Sequence, residues 1–418
     1  HMDYPQRRLA GWILAAFAIT FQVLVNIPVG GGYLRLGASD LLLPVFAGVV
    51  AWHAARHPAQ VPRWIVPGLW FWLAALTAWL TVALVIGHGR IGAWQEWALV
   101  NKFAGWFVLV AYLVVGGWVA QFAGRPDEDR FVRWLAVLAA GLSLVSLARY
   151  LVMQAVNPEL YPRLEGIAGN PNSFGCLLAV AWVVLVAVQS DRQVMSVRHF
   201  HWTIVSLNIG LLYAGSRSSW LGLVLGLAVL QAFHCIPWRP LLRASAVSAV
   251  LCALIAQVPP FIHATIPPED APNLSEPYFL RPSMVDDTGV SHRVRLMREA
   301  LALWQENPVA GVGLGTFYWA DRQAHGGTGA VIHNTALWLL TETGLVGVAL
   351  FGGFFLAGTL RLWRRLRLEP DPLGVGILAT LAIFLGASVG MEAMYQRHLW
   401  FLAGYALALR PPLRQAPV

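Results

Sequence analysis

Apolar runs of about twenty residues recur along the chain, and no other feature limits its fold as strongly. A bilayer core needs ~20 consecutive apolar residues per helical span. Runs of that kind lie near 9–27, 39–56, 64–87, 98–122, 131–153, 173–190, 200–215, 217–236, 241–264, 332–361, 373–392 and 395–410. Only 12% of the residues are charged, against roughly a quarter in a soluble domain. The mean hydropathy is +0.59. The sequence therefore predicts an all-α polytopic membrane protein with about twelve transmembrane helices. His1 and Met2 resemble a tag remnant and are left out of this reading. Residues 9–27 are long enough to be a first true span, so no cleaved signal peptide is expected.

Orientation follows from arginine. The loops containing "RHPAQVPR", "GRPDEDR", "SDRQVMSVR", "PWRPLLR" and "RLWRRLRLEP" alternate along the chain, and both terminal segments carry arginines on the same side. Loops rich in Lys and Arg stay cytoplasmic, so both termini are expected inside. The formal net charge of +8 then reflects cytoplasmic anchoring and phosphate contact, and no nucleic acid is expected as a partner. Cys176, Cys235 and Cys252 all lie in or beside apolar runs, which argues against a disulfide framework. The expected divisions are 3–264 (nine spans), 265–331 (a large external loop) and 332–418 (three spans). Within the loop, "SHRVRLMREALALWQENP" predicts a helix over 291–307, with Ser291 as N-cap. Val294, Met297, Leu301 and Trp304 form its apolar stripe. At 100° per residue, Arg293 and Arg298 flank that stripe and can face a site beneath the helix, whereas Arg295 points to water.

The unusual polar residues gather at the external ends of spans. "RLEGIAGNPNSFG" (163–175), "GSRSSW" (215–220), "GVGLGTF" (311–317) and "HNTALW" (333–338) all lie there. Helix N-termini carry free N–H groups and partial positive charge, which favour anions. With Arg217, Arg293 and Arg163 nearby, such a face suits phosphate, because a guanidinium can hold two oxygens at once. Each motif also has a plainer explanation. Asn170-Pro171-Asn172 reads as a turn with a helix cap. Arg217 reads equally as an interfacial anchor. The glycines at 311, 313 and 315 follow no strand and read as a tight loop. His333 could cap or anchor its helix. Glu342 lies about 13 Å along the same helix and reads as paired with Lys102 or an arginine. Asp286-Asp287 is the nearest acidic pair and reads as a solvated turn.

Taken together and in this order, "GNPNSFG", "GSRSSW", "SHRVRLMREALALWQENPVAGVGLGTF" and "HNTALWLLTETGLVGVALF" resemble the O-antigen ligase and polymerase superfamily of bacterial inner membranes. The resemblance covers roughly the second half of the chain. Its length and lack of an added C-terminal soluble domain are most similar to the lipopolysaccharide O-antigen ligases. The resemblance implies a GT-C-like, inverting, metal-independent glycosyltransferase of the Gram-negative inner membrane, with a periplasmic active site and no cofactor. The donor would be a glycan on undecaprenyl pyrophosphate, and the acceptor a sugar hydroxyl of lipid A–core. His333 corresponds to the family's functional histidine, and Arg217 and Arg293 to its pyrophosphate-binding arginines. Asn334, Arg163, Asn172 and Arg298 are secondary candidates. Where the family helix often carries Trp, four residues after the arginine, this chain has Met297. His333 could act as general base or hold pyrophosphate as an imidazolium. The rival readings are an O-antigen polymerase, a lipid-linked glycan transporter and a non-catalytic scaffold. The lack of an evident internal repeat and a site at one face argue against the transporter.

Overall fold

The computed structural model describes residues 4–29, 32–58, 67–156, 163–167, 169–258, 287–326 and 329–408. Fourteen α-helices dominate them. Seven helical segments are long and apolar enough to cross a membrane: Ala38–Arg56, Gly68–Ile91, Ala98–Phe122, Arg125–Ala155, Pro171–Arg192, Trp238–Ile255 and Thr335–Leu368. Arg217–Ala232 and Pro372–Ala387 are apolar but shorter. Trp12, Leu41, Phe71 and Val145 are each at least 66% exposed, an outer surface suited to lipid rather than water. The chain is a polytopic, nearly all-helical membrane protein.

One element departs from the all-α expectation. Helix α1 (Tyr4–Thr20) stops early, and Leu24–Val29 (β1) pairs antiparallel with Gly32–Gly37 (β2). The β-branched residues of "LVNIPV" favour extended backbone, and Pro28 cannot continue a helix. The edge of β1 joins the 163–167 segment through Leu24 N–H and Ile167 O, 3.3 Å apart.

Helices α2 (Ala38–Arg56), α3 (Pro67–Ile91), α4 (Gly105–Phe122) and α5 (Arg125–Val156) follow. A π-helical turn, Ala98–Ala104, leads into α4. Helix α6 (Pro171–Arg192) is the central post, buried over almost all of 173–188. It packs between α5, α8 (Arg217–Ala232) and α13 (Pro372–Ala387). Helices α7 (Val197–Ala214) and α9 (Trp238–Ile255) pack together beside α5. The runs at 200–215 and 217–236 are divided at Gly215-Ser216, where a left-handed Gly215 ends α7 and Ser216 caps α8. Helix α14 (Arg397–Ala408) crosses α4 very closely. A Cβ at Gly404 would lie 1.9 Å from Leu113 O, the small-residue contact that lets membrane helices approach.

The sequence shows α12 (Thr335–Leu368) as one run, but the chain breaks it at Gly344. There φ is 66° and ψ −171°, a region essentially restricted to glycine. The "PVAGVGLG" loop fills the break. Val312 and Gly313 N–H donate to Thr341 and Glu342 carbonyls at 2.9 and 3.1 Å, and Leu345 N–H donates to Pro308 O at 3.0 Å. A broken helix in a membrane must recover its backbone hydrogen bonds from protein, and this loop supplies them.

Helix α10 (Asp287–Glu306) starts before Ser291, so Ser291 is not its N-cap. It packs on α12 through Leu296 and Ala300, both at most 1% exposed, while Val294, Met297 and Leu301 are exposed. The packed face is therefore not the expected stripe. Arg295 and Glu299, each about a third exposed, reach sideways to α11 (Thr316–His325). Asp286 lies outside the described residues, as does the side chain of Asp287.

Candidate active site

A cavity of 540 Å³ opens among the start of α2, the π-helical turn, the start of α6, α11, the turn before α12 and the 391–398 segment. Its volume falls within the ~300–1,000 Å³ of small-molecule sites. The sequence dictates how each element reaches it. Asn170 caps α6, accepting Asn172 N–H at 2.9 Å and Ser173 N–H at 3.1 Å, with Pro171 at the first helical position. The cap directs the N-terminus of the central helix at the cavity, with Asn170, Asn172 and Ser173 on its wall.

His333 also lines the cavity and is exposed. The next residue, Asn334, caps α12 by accepting Leu337 N–H at 2.9 Å, and its amide donates to Val389 O at 3.1 Å. The plain capping role thus belongs to Asn334, which leaves the imidazole of His333 at the cavity wall. Upstream, Ala330 N–H donates to Asp321 Oδ2 at 2.7 Å. Asp321 Oδ1 takes Arg295 Nη1 at 3.2 Å. Arg295 also reaches Glu299 at 2.9 Å and His325 at 3.0 Å. The carboxylate of Glu299 foremost, then that of Asp321, raises the pKa of the Arg295 guanidinium. Arg295, expected in water, thus ties the loop helix to the turn carrying His333. Glu299, Asp321 and His325 are spaced to share a metal ion, but the Arg295 guanidinium contacts all three.

The other sequence candidates divide. Asn172 lines the cavity and accepts Arg163 Nη2 at 3.3 Å. Arg163 also donates to Ala214 O and Gly215 O, both at 2.8 Å. It neutralises the carbonyls ending α7, as a cation at a helix C-terminus does. Arg217, Arg293 and Arg298 are exposed and do not line the cavity. Their side chains make no hydrogen bond or ion pair with any described residue. Glu342 is 1% exposed, and its carboxylate accepts Trp338 Nε1 at 2.8 Å and Phe317 N–H at 3.3 Å. It caps α11 and lies within electrostatic reach of Lys102, one of the partners the sequence suggested, while the close ion pair of Lys102 is with Glu392.

Of the charged groups on the cavity wall, the sequence singled out Lys102 alone, as a partner for Glu342, and missed Asp40, Glu392 and Arg397. Lys102 is 2% exposed and ion-paired with Glu392. Its ammonium lies 4.2–4.9 Å from the ring centres of Trp97, Trp338 and Tyr395, a cation–π cage. Arg397 grips Asp40 through Nε and Nη2 at 2.8–3.2 Å. Tyr112 OH donates to the same carboxylate at 2.8 Å. A signal was available, since ionisable residues in apolar runs are functional candidates.

Residues 202–352 match the family model described as O-antigen ligase. Over that segment the chain is similar to the O-antigen ligase family. The matched segment, about a third of the chain, runs from α7 into α12 and contains Arg217, Arg293 and His333. Asp40, Lys102, Arg397 and the N-terminus of α6 lie outside it, so the matched segment supplies only part of the cavity wall. No curated protein matches the chain.

Proposed function

We propose that the chain is an O-antigen ligase, transferring a glycan from undecaprenyl pyrophosphate to a sugar hydroxyl of lipid A–core at the periplasmic face of the Gram-negative inner membrane. The observation that carries this reading is His333, exposed on the wall of the cavity and within the matched segment. A lipid-borne pyrophosphate sits at the bilayer surface, and His333 stands where a span begins. Its imidazole takes the proton of the acceptor hydroxyl as that oxygen attacks the anomeric carbon. The bond from that carbon to the pyrophosphate oxygen breaks, the anomeric configuration inverts, and undecaprenyl pyrophosphate departs with the bonding pair. Arg217 and Arg293, exposed and not bound to other described side chains, are suited to stabilise the charge on that leaving group.

Ligase and polymerase share this chemistry and differ in the acceptor. The test supplies purified protein in proteoliposomes with the lipid-linked glycan and either lipid A–core or more lipid-linked glycan. Product on lipid A–core supports the ligase. Lengthening of the lipid-linked glycan alone identifies a polymerase, and uptake of intact donor without transfer identifies a transporter.

A further inference from the structure

The stretch "RLWRRLRL" closes α12, and the transfer chemistry uses none of its arginines. Helix α12 is long and apolar enough to cross a membrane, so this end lies at the surface opposite His333. Arginines at the end of a span by themselves report only orientation. What separates these from their neighbours is the lack of acidic partners. Arg192 is paired with Glu128, Asp129 and Asp371 at 2.6–3.2 Å. Arg130 and Arg7 are paired with Asp127 at 3.4 and 3.9 Å. Arg361, Arg364 and Arg365 make no hydrogen bond or ion pair with any described residue. Asp371 lies within electrostatic reach of Arg365, but it is committed to Arg192 and to Gly374 N–H at 2.7 Å, the cap of α13. Glu369 is exposed and pairs with none of them.

The three share one side of the helix. At about 100° per residue they fall within roughly 100° of one another around α12. Arg361 and Arg364 are exposed, and residues three apart are neighbours on a helix surface. Arg365 borders the packed face of Leu362 and Leu366. Its Nη1 is closed to solvent and has no hydrogen-bond partner among the described residues. That atom reaches no ligand, but its charge adds to the field at the two exposed guanidiniums. Arg367 is turned elsewhere, over the rings of Trp363 and Phe233 at 5.3 and 5.9 Å. An anion between Arg361 and Arg364 would relieve the repulsion of three like charges. A phosphate suits them, because each guanidinium can hold two oxygens. Leu360 and Leu356, 41% and 59% exposed, continue the Arg364 flank toward the middle of the span, an apolar strip suited to an acyl chain. A zwitterionic headgroup fits less well, because its ammonium would enter the same positive field.

We infer that Arg361 and Arg364, backed by Arg365, form a headgroup site for an anionic phospholipid of the leaflet opposite His333. The lipid phosphate sits between the two exposed guanidiniums, and an acyl chain lies along Leu360 and Leu356. The site is independent of the transfer reading.

The test is native mass spectrometry of the full chain, delipidated in detergent micelles and titrated with phosphatidylglycerol, phosphatidylcholine or inorganic phosphate. Phosphatidylglycerol binds, and the other two bind at least tenfold more weakly. In the double variant Arg361→Gln/Arg364→Gln its Kd rises about thirtyfold, the loss of two surface cations. Arg361→Lys/Arg364→Lys keeps the charge and most of the affinity, which separates lost charge from lost fold. The control is Arg198→Gln/Arg243→Gln, which removes two exposed arginines from the starts of α7 and α9 and leaves the Kd unchanged. The inference is overturned if the control weakens binding as much as the α12 pair, because the attraction is then diffuse. Equal binding of phosphatidylcholine, or inorganic phosphate binding as tightly as the lipid, overturns it as well. So does a lysine pair that loses binding as fully as the glutamine pair.

Discussion

Asp321 holds the turn before His333 in place, and removing it should cost both stability and rate. Its side chain is 5% exposed, with one oxygen on Ala330 N–H at 2.7 Å and the other on Arg295 at 3.2 Å. Asp321→Ala leaves the Ala330 N–H without its acceptor, a loss of about 1.5–3 kcal/mol for a hydrogen bond to a charged group. The Arg295 contact adds less, about 0–1 kcal/mol, because a third of that side chain is exposed to screening solvent. Together they come to about 1.5–4 kcal/mol. Asp321→Asn can keep the Ala330 bond through its amide oxygen, and should lose only the Arg295 part. The turn leads to His333 three residues later, and misplacing a catalytic group by ~1 Å can cost ~10²-fold in rate. The assay pairs thermal unfolding in micelles with the initial rate of glycan transfer. The expected order of damage is Asp321→Ala, then Asp321→Asn and Arg295→Ala together, with Arg298→Ala mildest. If Asp321→Ala unfolds and turns over like the parent protein, the turn is held by something else and the reasoning fails.

Further predictions follow from other elements. Gly344→Ala should sharply lower the yield of folded protein in detergent extraction, because a Cβ there would lie 2.2 Å from Val309 O at a φ of 66°; parent-like yield would mean that α12 does not break as described. Transfer should survive EDTA, since the Glu299–Asp321–His325 group is spanned by the Arg295 guanidinium; loss on chelation with recovery on Mg²⁺ or Mn²⁺ would contradict this. Arg293→Ala should strongly reduce transfer and Arg293→Lys should rescue poorly, because a point charge cannot reproduce a two-pronged phosphate contact; full activity of the lysine variant would remove that role.

Much of this was legible before the structure. The apolar runs announced a membrane protein, and each of the four polar motifs does sit at a helix end or tight turn. "GNPNSFG" encodes its own cap, and the glycines at 311, 313 and 315 all take positive φ. The orientation of α10 was not legible, because an apolar stripe shows which face avoids water but not whether protein or lipid covers it. Val294, Met297 and Leu301 face outward, while Leu296 and Ala300 are buried and Arg295 pairs with Asp321, distant in sequence. The break at Gly344 was hidden for a similar reason. "TETGLVG" looks helical until the 308–315 loop supplies the lost hydrogen bonds. The cavity's four charges come from segments as far apart as Asp40 and Arg397, and no local spacing joins them.

The account stands most directly on the imidazole of His333. The deciding measurement is the initial rate of glycan transfer from the undecaprenyl-linked donor to lipid A–core in proteoliposomes, for the parent protein and for His333→Ala at equal folded amount. Loss of a general base predicts a fall of about 10²–10⁴-fold, with the thermal midpoint little changed because the side chain is exposed. A His333→Ala protein that transfers glycan at the parent rate would contradict the account.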